Sequence, residues 1–600
     1  MPFEFTYQPL IPGLTTLWAS LGGISQALAL QRISGVIYCL APVTLFLMAW
    51  LLTRAPGYSF FAALFYSLLS PTQLLVTDPG FEIKNALDAR RLYLVGMWDE
   101  LPHLAALALL PVTILFLYWS IQKRSVGYSA VTAALIALTT SASLFGPPMI
   151  AMGALCLLFA LPAKEFKRNL TLAAIIGLYA FALSLPFLPP SLLAAIPKAS
   201  QYVEEGWTLG SVAAAAIVLV TWLVLWKFAL PHVDDWRLRF FVLFAFLTSS
   251  IPLFATYLHW QFLPQAARYK MEMEFALPLL VLFGARRWFE RAWQPLRAVV
   301  VIALLALAVG QLVHYGRFAR NVLRRASVTE TIEYRVTRWV EQNLPGVRLL
   351  LPGSIEKWAD AFAPIQQFSG ESWSTTYNQT KLEGFGTLKY GSDPRFSLAW
   401  SRAFGVGAIA VSGPKSPEFW KPFWHPEQFE GVLPVLWRQD DVTIYRIPQR
   451  TTSLAHVISE AAIVHKVPVR PGDIEGIERY VAALDDPSMP FAELRWEGNN
   501  RIRIHATASV EQALSVQVSF HPGWHASSGG HASQVKRDGL GLMWLQPRCA
   551  GPCDVELNYD GGWELRICRY IGVAAIIGLF LIPLAAQRRR VDSIIDVRNA

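Results

Sequence analysis

The chain has 600 residues, 54% of them hydrophobic and only 16% charged, with a mean hydropathy of +0.36. That balance excludes an ordinary soluble enzyme and points to a multi-pass membrane protein, since several apolar runs reach the length of about 17–25 residues that crosses roughly 30 Å of hydrocarbon. The net charge of +9 sits in short clusters between those runs, a topology signal, and not in the continuous basic stripe that would make nucleic acid a partner.

In chain order, residues 1–32 lack a basic n-region, and Pro2, Pro9, Pro12 and Gly13 interrupt any early span. Eleven spans are expected at 33–53, 58–77, 101–121, 126–145, 148–161, 170–188, 209–230, 238–259, 274–285, 297–314 and 570–586. The fifth and ninth are short for a crossing. Alternate connections carry Arg54; Lys123 and Arg124; Lys164, Lys167 and Arg168; Lys227, Arg237 and Arg239; Arg286, Arg287, Arg291 and Arg297; and Arg588, Arg589 and Arg590. By the positive-inside rule these face the cytoplasm, which puts the N-terminal segment and residues 98–103 outside and the C-terminal tail inside. An outward start of this kind predicts a further helix upstream.

The expected organisation is an outward N-terminal loop segment at 1–32, a transmembrane domain at 33–315, an extracytoplasmic α/β domain at 316–486, an extracytoplasmic β-sandwich at 487–566, and a last helix with a basic cytoplasmic tail at 567–600. Within the large outer region, 347–351, 408–411 and 442–447 read as strands, 330–343 as an amphipathic helix, and 451–486 as a helical connector. Alternation over 493–559, with turns at Pro522-Gly523, Gly529-Gly530 and Gly561-Gly562, predicts the antiparallel sandwich. Gly405-Val406-Gly407 precedes a strand instead of following one, so it is not a dinucleotide loop. Cys549 and Cys553, four apart, are expected to form a local disulfide, with Cys568 as a competing partner; Cys39 and Cys156 lie within spans as packing residues.

Chemistry concentrates at the third span, which opens with Trp98-Asp99-Glu100-Leu101-Pro102-His103. An acid before a first helical turn, with proline inside it, is also how a capped helix begins. Asp88, Arg90 and Arg91 precede this stretch, and Arg268-Tyr269-Lys270-Met271-Glu272-Met273-Glu274 opens a later apolar run. On one helix Arg268 would pair with Glu272 and Lys270 with Glu274 at i,i+4 spacing. The alternative is that Arg268 and Lys270 hold an anionic head group while a carboxylate handles a proton.

The acidic outer stretch, the Pro-rich opening Tyr7-Gln8-Pro9-Leu10-Ile11-Pro12, the many spans and the late outer domain resemble the GT-C superfamily of polyprenyl-phosphate-dependent membrane glycosyltransferases. Asp99-Glu100-Leu101-Pro102-His103, the Arg268 to Glu274 run, Gly353-Ser354-Ile355-Glu356-Lys357-Trp358 and His521-Pro522-Gly523-Trp524 are similar to a bacterial membrane family. Its label is "6-pyruvoyl-tetrahydropterin synthase-related", and its sandwich also resembles that of membrane proteins implicated in teichoic-acid sugar decoration. Pterin chemistry is not expected, because it needs a zinc-binding histidine cluster that this sequence does not display.

The resemblance implies a helical polytopic GT-C-like domain at the bacterial inner membrane. There a polyprenyl-phosphate-linked sugar would be transferred at the outer face to an envelope glycan or lipid acceptor. It implies Asp99 or Glu100 as base with His103 beside it, a divalent metal as the conceivable cofactor, and Arg90, Arg91, Arg268, Lys270, Glu272 and Glu274 around the substrate and its phosphate. The key acid of the superfamily's first outer loop would fall upstream of Tyr7, where this sequence keeps only Glu4. The competing expectation is a non-catalytic membrane scaffold that binds envelope glycan or a partner.

Overall fold

A computed structural model describes residues 8–76, 83, 85–98, 100–200, 208–323, 327–368, 378–418, 420–470, 472–547 and 549–599, with backbone alone at 196–200 and 586–599. The chain forms two units. One comprises Gln8–Pro189, Glu204–Arg324 and Cys568–Ala600, the other Met1–Tyr7, Pro190–Val203 and Arg325–Ile567.

Up to residue 322 the helices are α1 (Leu10–Gly22), α2 (Gln26–Thr53), α3 (Pro56–Leu68), α4 (Thr72–Leu75), α5 (Arg90–Met97), α6 (Leu101–Lys123) and α7 (Val126–Ala142). They continue with α8 (Gly146–Ala160), α9 (Phe166–Ser184), α10 (Pro190–Ser200), α11 (Leu209–Val224), α12 (Trp236–Leu258), α13 (Lys270–Arg291) and α14 (Gln294–Val322). Ten of the eleven apolar runs fall largely within single helices, the last within α20 (Gly562–Asn599), while the run at 58–77 is divided between α3 and the short α4. Among the described residues, however, seven helices are long and apolar enough to cross a membrane. The four remaining runs fall short for visible reasons. Helix α7 has 17 residues and α8 has 15, about 25 Å and 22 Å of rise. Helix α3 stops at Leu68 ahead of Pro71, since the residue before a proline avoids helical backbone. Helix α13 carries charges at both ends.

In its described part the segment expected as a loop at 1–32 is helical, although α1, at 13 residues, is too short to be a span. Pro9 occupies the N-cap of α1 and Pro12 lies in its first turn, where no backbone N–H is needed, so the prolines open a helix; Gly23, at φ 59, ends it. Helix α6 is the buried centre of the helical unit. It packs on α2, and both helices bring buried alanines to the shared core, Ala105, Ala106 and Ala108 from α6 and Ala41 and Ala49 from α2, small residues that let backbones approach where lipid offers no hydrophobic drive.

In the second unit, α15 (Ile332–Asn343), α16 (Gly353–Phe362), α17 (Gln379–Tyr390) and α18 (Pro394–Ala403) accompany a mixed sheet. Its strands are β1 (Leu349–Leu350), β2 (Ala408–Ser412), β3 (Val435–Gln439) and β4 (Val442–Arg446), in the order β1-β2-β4-β3 with β1 parallel to β2. The stretch 451–486 is not a helical connector. It holds a strand, β5 (Ala455–Ser459), before α19 (Glu475–Leu484), because Ala455, Val457 and Ile458 are buried and the strand adds an edge to a sandwich sheet.

That sandwich pairs β10-β9-β13-β7-β6 with β11-β12-β8-β5. The strands are β6 (Ala492–Trp496), β7 (Arg501–Ala508), β8 (Gln512–Ser519), β9 (Trp524–Ser528), β10 (His531–Ser533), β11 (Lys536–Arg537), β12 (Leu542–Leu545) and β13 (Gly551–Tyr559). Gly529 and Gly530, both at positive φ, form the two-residue turn between β9 and β10. Cys549 and Cys553 are disulfide-bonded with Cα atoms 6.0 Å apart, while Cys568 lies in α20. Buried Arg348 ties the sandwich to the α/β layer, donating to the carbonyls of Phe404 and Gln517.

Candidate functional site

The N-termini of α6 and α13 adjoin in the helical unit. Glu100 takes the N-cap position of α6, but its carboxylate makes no cap bond to that helix's backbone; it faces outward from the turn to Arg268, whose Nε lies 3.1 Å from Glu100 Oε1. The simple capped-helix alternative therefore does not describe this carboxylate. Pro102 in the first turn turns the chain into α6 without losing a backbone bond, and this places His103 one turn inside, buried.

His103 bridges two acids. Its Nε2 is 2.8 Å from Glu272 Oε1 and its Nδ1 is 3.6 Å from Glu100 Oε2. The imidazole stacks on Phe145, ring centroids 4.6 Å apart and planes within 7°. Tyr269 meets Phe145 edge-on at 5.7 Å, and the Arg268 guanidinium lies 5.4 Å from the same ring. Exposure orders these groups from outside inward: the Arg268 side chain is 47% exposed, that of Glu100 11%, that of His103 1% and that of Glu272 0%.

The i,i+4 pairing of Arg268 with Glu272 is not what forms. Arg268 belongs to the 3-10 turn Ala266–Tyr269, and α13 starts only at Lys270; the change of helical pitch takes Arg268 off the face that carries Glu272. Each instead finds a partner on the α6 end. Glu274, one turn into α13, accepts from Thr72 Oγ1 at 2.5 Å and lies 3.8 Å from Arg90 Nη1. Lys270 is buried at the same helix start.

Arg91 does not join this cluster. Its guanidinium carbon is 4.4 Å from the Tyr38 ring centroid and 4.3 Å from that of Tyr66. Helix α5, which carries both arginines, is pinned by polar contacts. Ser70 donates to the carbonyl of Asp88, Gln311 donates to the carbonyls of Leu68 and Leu87, and His314 Nε2 lies 3.1 Å from Asp88 Oδ1. Asp99 lies outside the described residues. Thr72, Phe145, Tyr269 and His314 were not recognisable as site residues in the sequence, since a threonine after a proline and aromatics at span ends carry no chemical signature of their own.

Burial raises the Glu100 carboxyl, but the neighbouring His103 and the charge of Arg268 outweigh it and hold the group below the usual carboxylate range. It is therefore ionised at neutral pH. Among the described residues the donor set does not fit a divalent metal: no group of three or more His, Cys, Asp or Glu is arranged to hold one, and Glu100 and Glu272 are already engaged by Arg268 and His103.

No family model and no curated protein matches the chain. Among solved structures it is similar to the arabinofuranosyltransferase AftD from Mycobacteria, at 12% identity over 92% of this chain and 52% of that one, with a TM-score of 0.44. A point mutant of AftD matches at 12% identity over 90% of this chain and 54% of the other, with a TM-score of 0.40. The chain thus spans about half the length of those proteins.

Proposed function

We propose that the protein is a GT-C-like membrane glycosyltransferase. In this reading it transfers a sugar from a polyprenyl-phosphate carrier to an envelope acceptor at the outer face of the bacterial inner membrane. The observation that carries it is the line Arg268, Glu100, His103, Glu272 at the joined starts of α6 and α13. An ionised carboxylate at the wet end of such a line suits a general base. As the acceptor oxygen bonds to the anomeric carbon, its proton passes to Glu100. The bond from that carbon to the phosphate oxygen breaks, and the phosphate leaves with the electron pair. His103 and Glu272 fix the orientation of Glu100 and spread the arriving charge. The half-exposed Arg268 and the two helix N-termini offer positive potential to the departing phosphate. Arg90, 3.8 Å from Glu274, adds a second cation near this line.

The test uses membranes carrying the full chain and a labelled polyprenyl-phosphate sugar. Glu100→Gln and His103→Ala should each reduce transfer by about 100-fold or more while insertion stays normal; unchanged transfer in both would remove these residues from catalysis. That outcome would favour the second reading, a non-catalytic envelope scaffold, to which the complete burial of Glu272 within its ion pair also lends support.

A further inference from the structure

Arg91 is 5% exposed, and its guanidinium lies against the rings of two tyrosines. Tyr38 and Tyr66 enclose the guanidinium on either side, and no carboxylate lies within ion-pair distance among the described residues. Among the described residues Arg91 Nε and Nη1 are buried without a hydrogen-bond acceptor, and the Tyr66 hydroxyl, on a residue 2% exposed, is buried beside them. Cation–π contact offsets part of the cost of burying a charge, but it leaves N–H donors in the guanidinium plane unused. Unused N–H donors on a buried cation, with a phenol beside them, have the chemistry of an oxyanion receptor, because each guanidinium N–H can donate a charge-assisted bond to a phosphate oxygen.

The surface beside this arginine is half-buried and amphipathic. The hydroxyls of Tyr38 on α2 and Tyr315 on α14 are hydrogen-bonded to one another, and both residues are only partly covered. Around them Val36, Leu40, Leu312 and Val313 are exposed at 53%, 39%, 52% and 52%. Apolar residues beside phenols and a buried cation suit a ligand with acyl chains and an anionic head, the pattern of tyrosines at a membrane interface. We propose that Arg91, with Tyr66, binds the phosphate of a membrane lipid whose chains lie along α2 and α14, at a site separate from the Glu100–His103–Glu272 line. The binding needs no sugar transfer, so it stands or falls independently of the proposed activity.

The experiment follows thermal unfolding of the delipidated full-length protein in non-ionic detergent. It is titrated with dioleoyl phosphatidic acid, with dioleoylglycerol, and with inorganic phosphate. Phosphatidic acid should raise the unfolding temperature of the native protein, and dioleoylglycerol, with the same chains and no phosphate, should not. Arg91→Met should weaken the half-saturating concentration by at least about tenfold, as expected for loss of charge-assisted hydrogen bonds. Tyr66→Phe, which keeps the ring and removes one donor, should weaken it by a smaller factor and covers the case in which the arginine variant does not fold. Equal response to phosphatidic acid in the native protein and both variants, or equal response to dioleoylglycerol, would overturn the site. An equal response to inorganic phosphate would overturn the lipid as its source.

Discussion

His103 Nε2 and Glu272 Oε1 meet at 2.8 Å although 169 positions separate the residues in the chain. Both side chains are shut away from water, so each is the other's compensation for burial. Removing one member of such a pair leaves a buried polar group or charge without its partner.

Glu272→Ala should therefore destabilise the full-length protein by about 3–5 kcal/mol, read as a lower unfolding temperature in detergent. The double replacement with His103→Ala should cost less than the sum of the single ones. Additive costs would show that the contact contributes nothing to stability.

Arg268 helps hold the Glu100 carboxyl below its usual range. A group with a depressed folded-state pKa stays ionised until the pH falls through that value. Arg268→Gln should raise it, so the acidic limb of any Glu100-dependent transfer should move to higher pH. An unmoved acidic limb would show that Glu100 does not set it.

Asp538 accepts hydrogen bonds from the backbone N–H groups of Leu540 and Leu542 through Oδ1, while Oδ2 is buried without a partner. Burial pushes its carboxyl up to about 7. Because the folded state holds its proton more tightly than the unfolded chain does, this group's contribution to stability is full below pH of about 4, declines as the pH rises to about 7, and is flat above. Asp538→Asn should accordingly be more stable than the native protein at pH 8, by at most about 4 kcal/mol. The two should converge near pH 4. His456, which burial lowers to about 4, contributes the opposite slope in both proteins, so the difference between their unfolding curves isolates Asp538. A constant difference across this range would contradict the assignment.

Gly353 opens α16 at φ +46, and a Cβ there would lie 1.8 Å from the Trp420 carbonyl oxygen. Gly353→Ala should lose more than the roughly 1–3 kcal/mol of backbone strain alone, since the carbonyl must also move. Expression yield and unfolding temperature would record it; a variant matching the native protein would show that this approach is not obligatory.

How much of this was legible in the chain follows from the range over which each signal acts. Hydropathy, alternation and turn chemistry are local, and they located the seven helices long enough to cross a membrane, the strands around 349 and 408, the two-glycine turn and most of the sandwich. Local reasoning failed where a distant element decided the outcome. Residues 455–459 extend because β8 offers them an edge, and the prolines at 9 and 12 start a helix because their positions fall within its first turn.

Composition and periodicity by themselves determined the membrane character, the order of the two regions and a short roster of buried-edge charges, because those properties depend on neighbouring residues. The tertiary structure alone decided the partners within that roster: Arg268 with Glu100, Glu272 with His103, Glu274 with Arg90, and Arg91 between two tyrosine rings. The physical reason is that a buried charge is stabilised only by what touches it, and what touches it is set by how helices far apart in the chain are brought end to end.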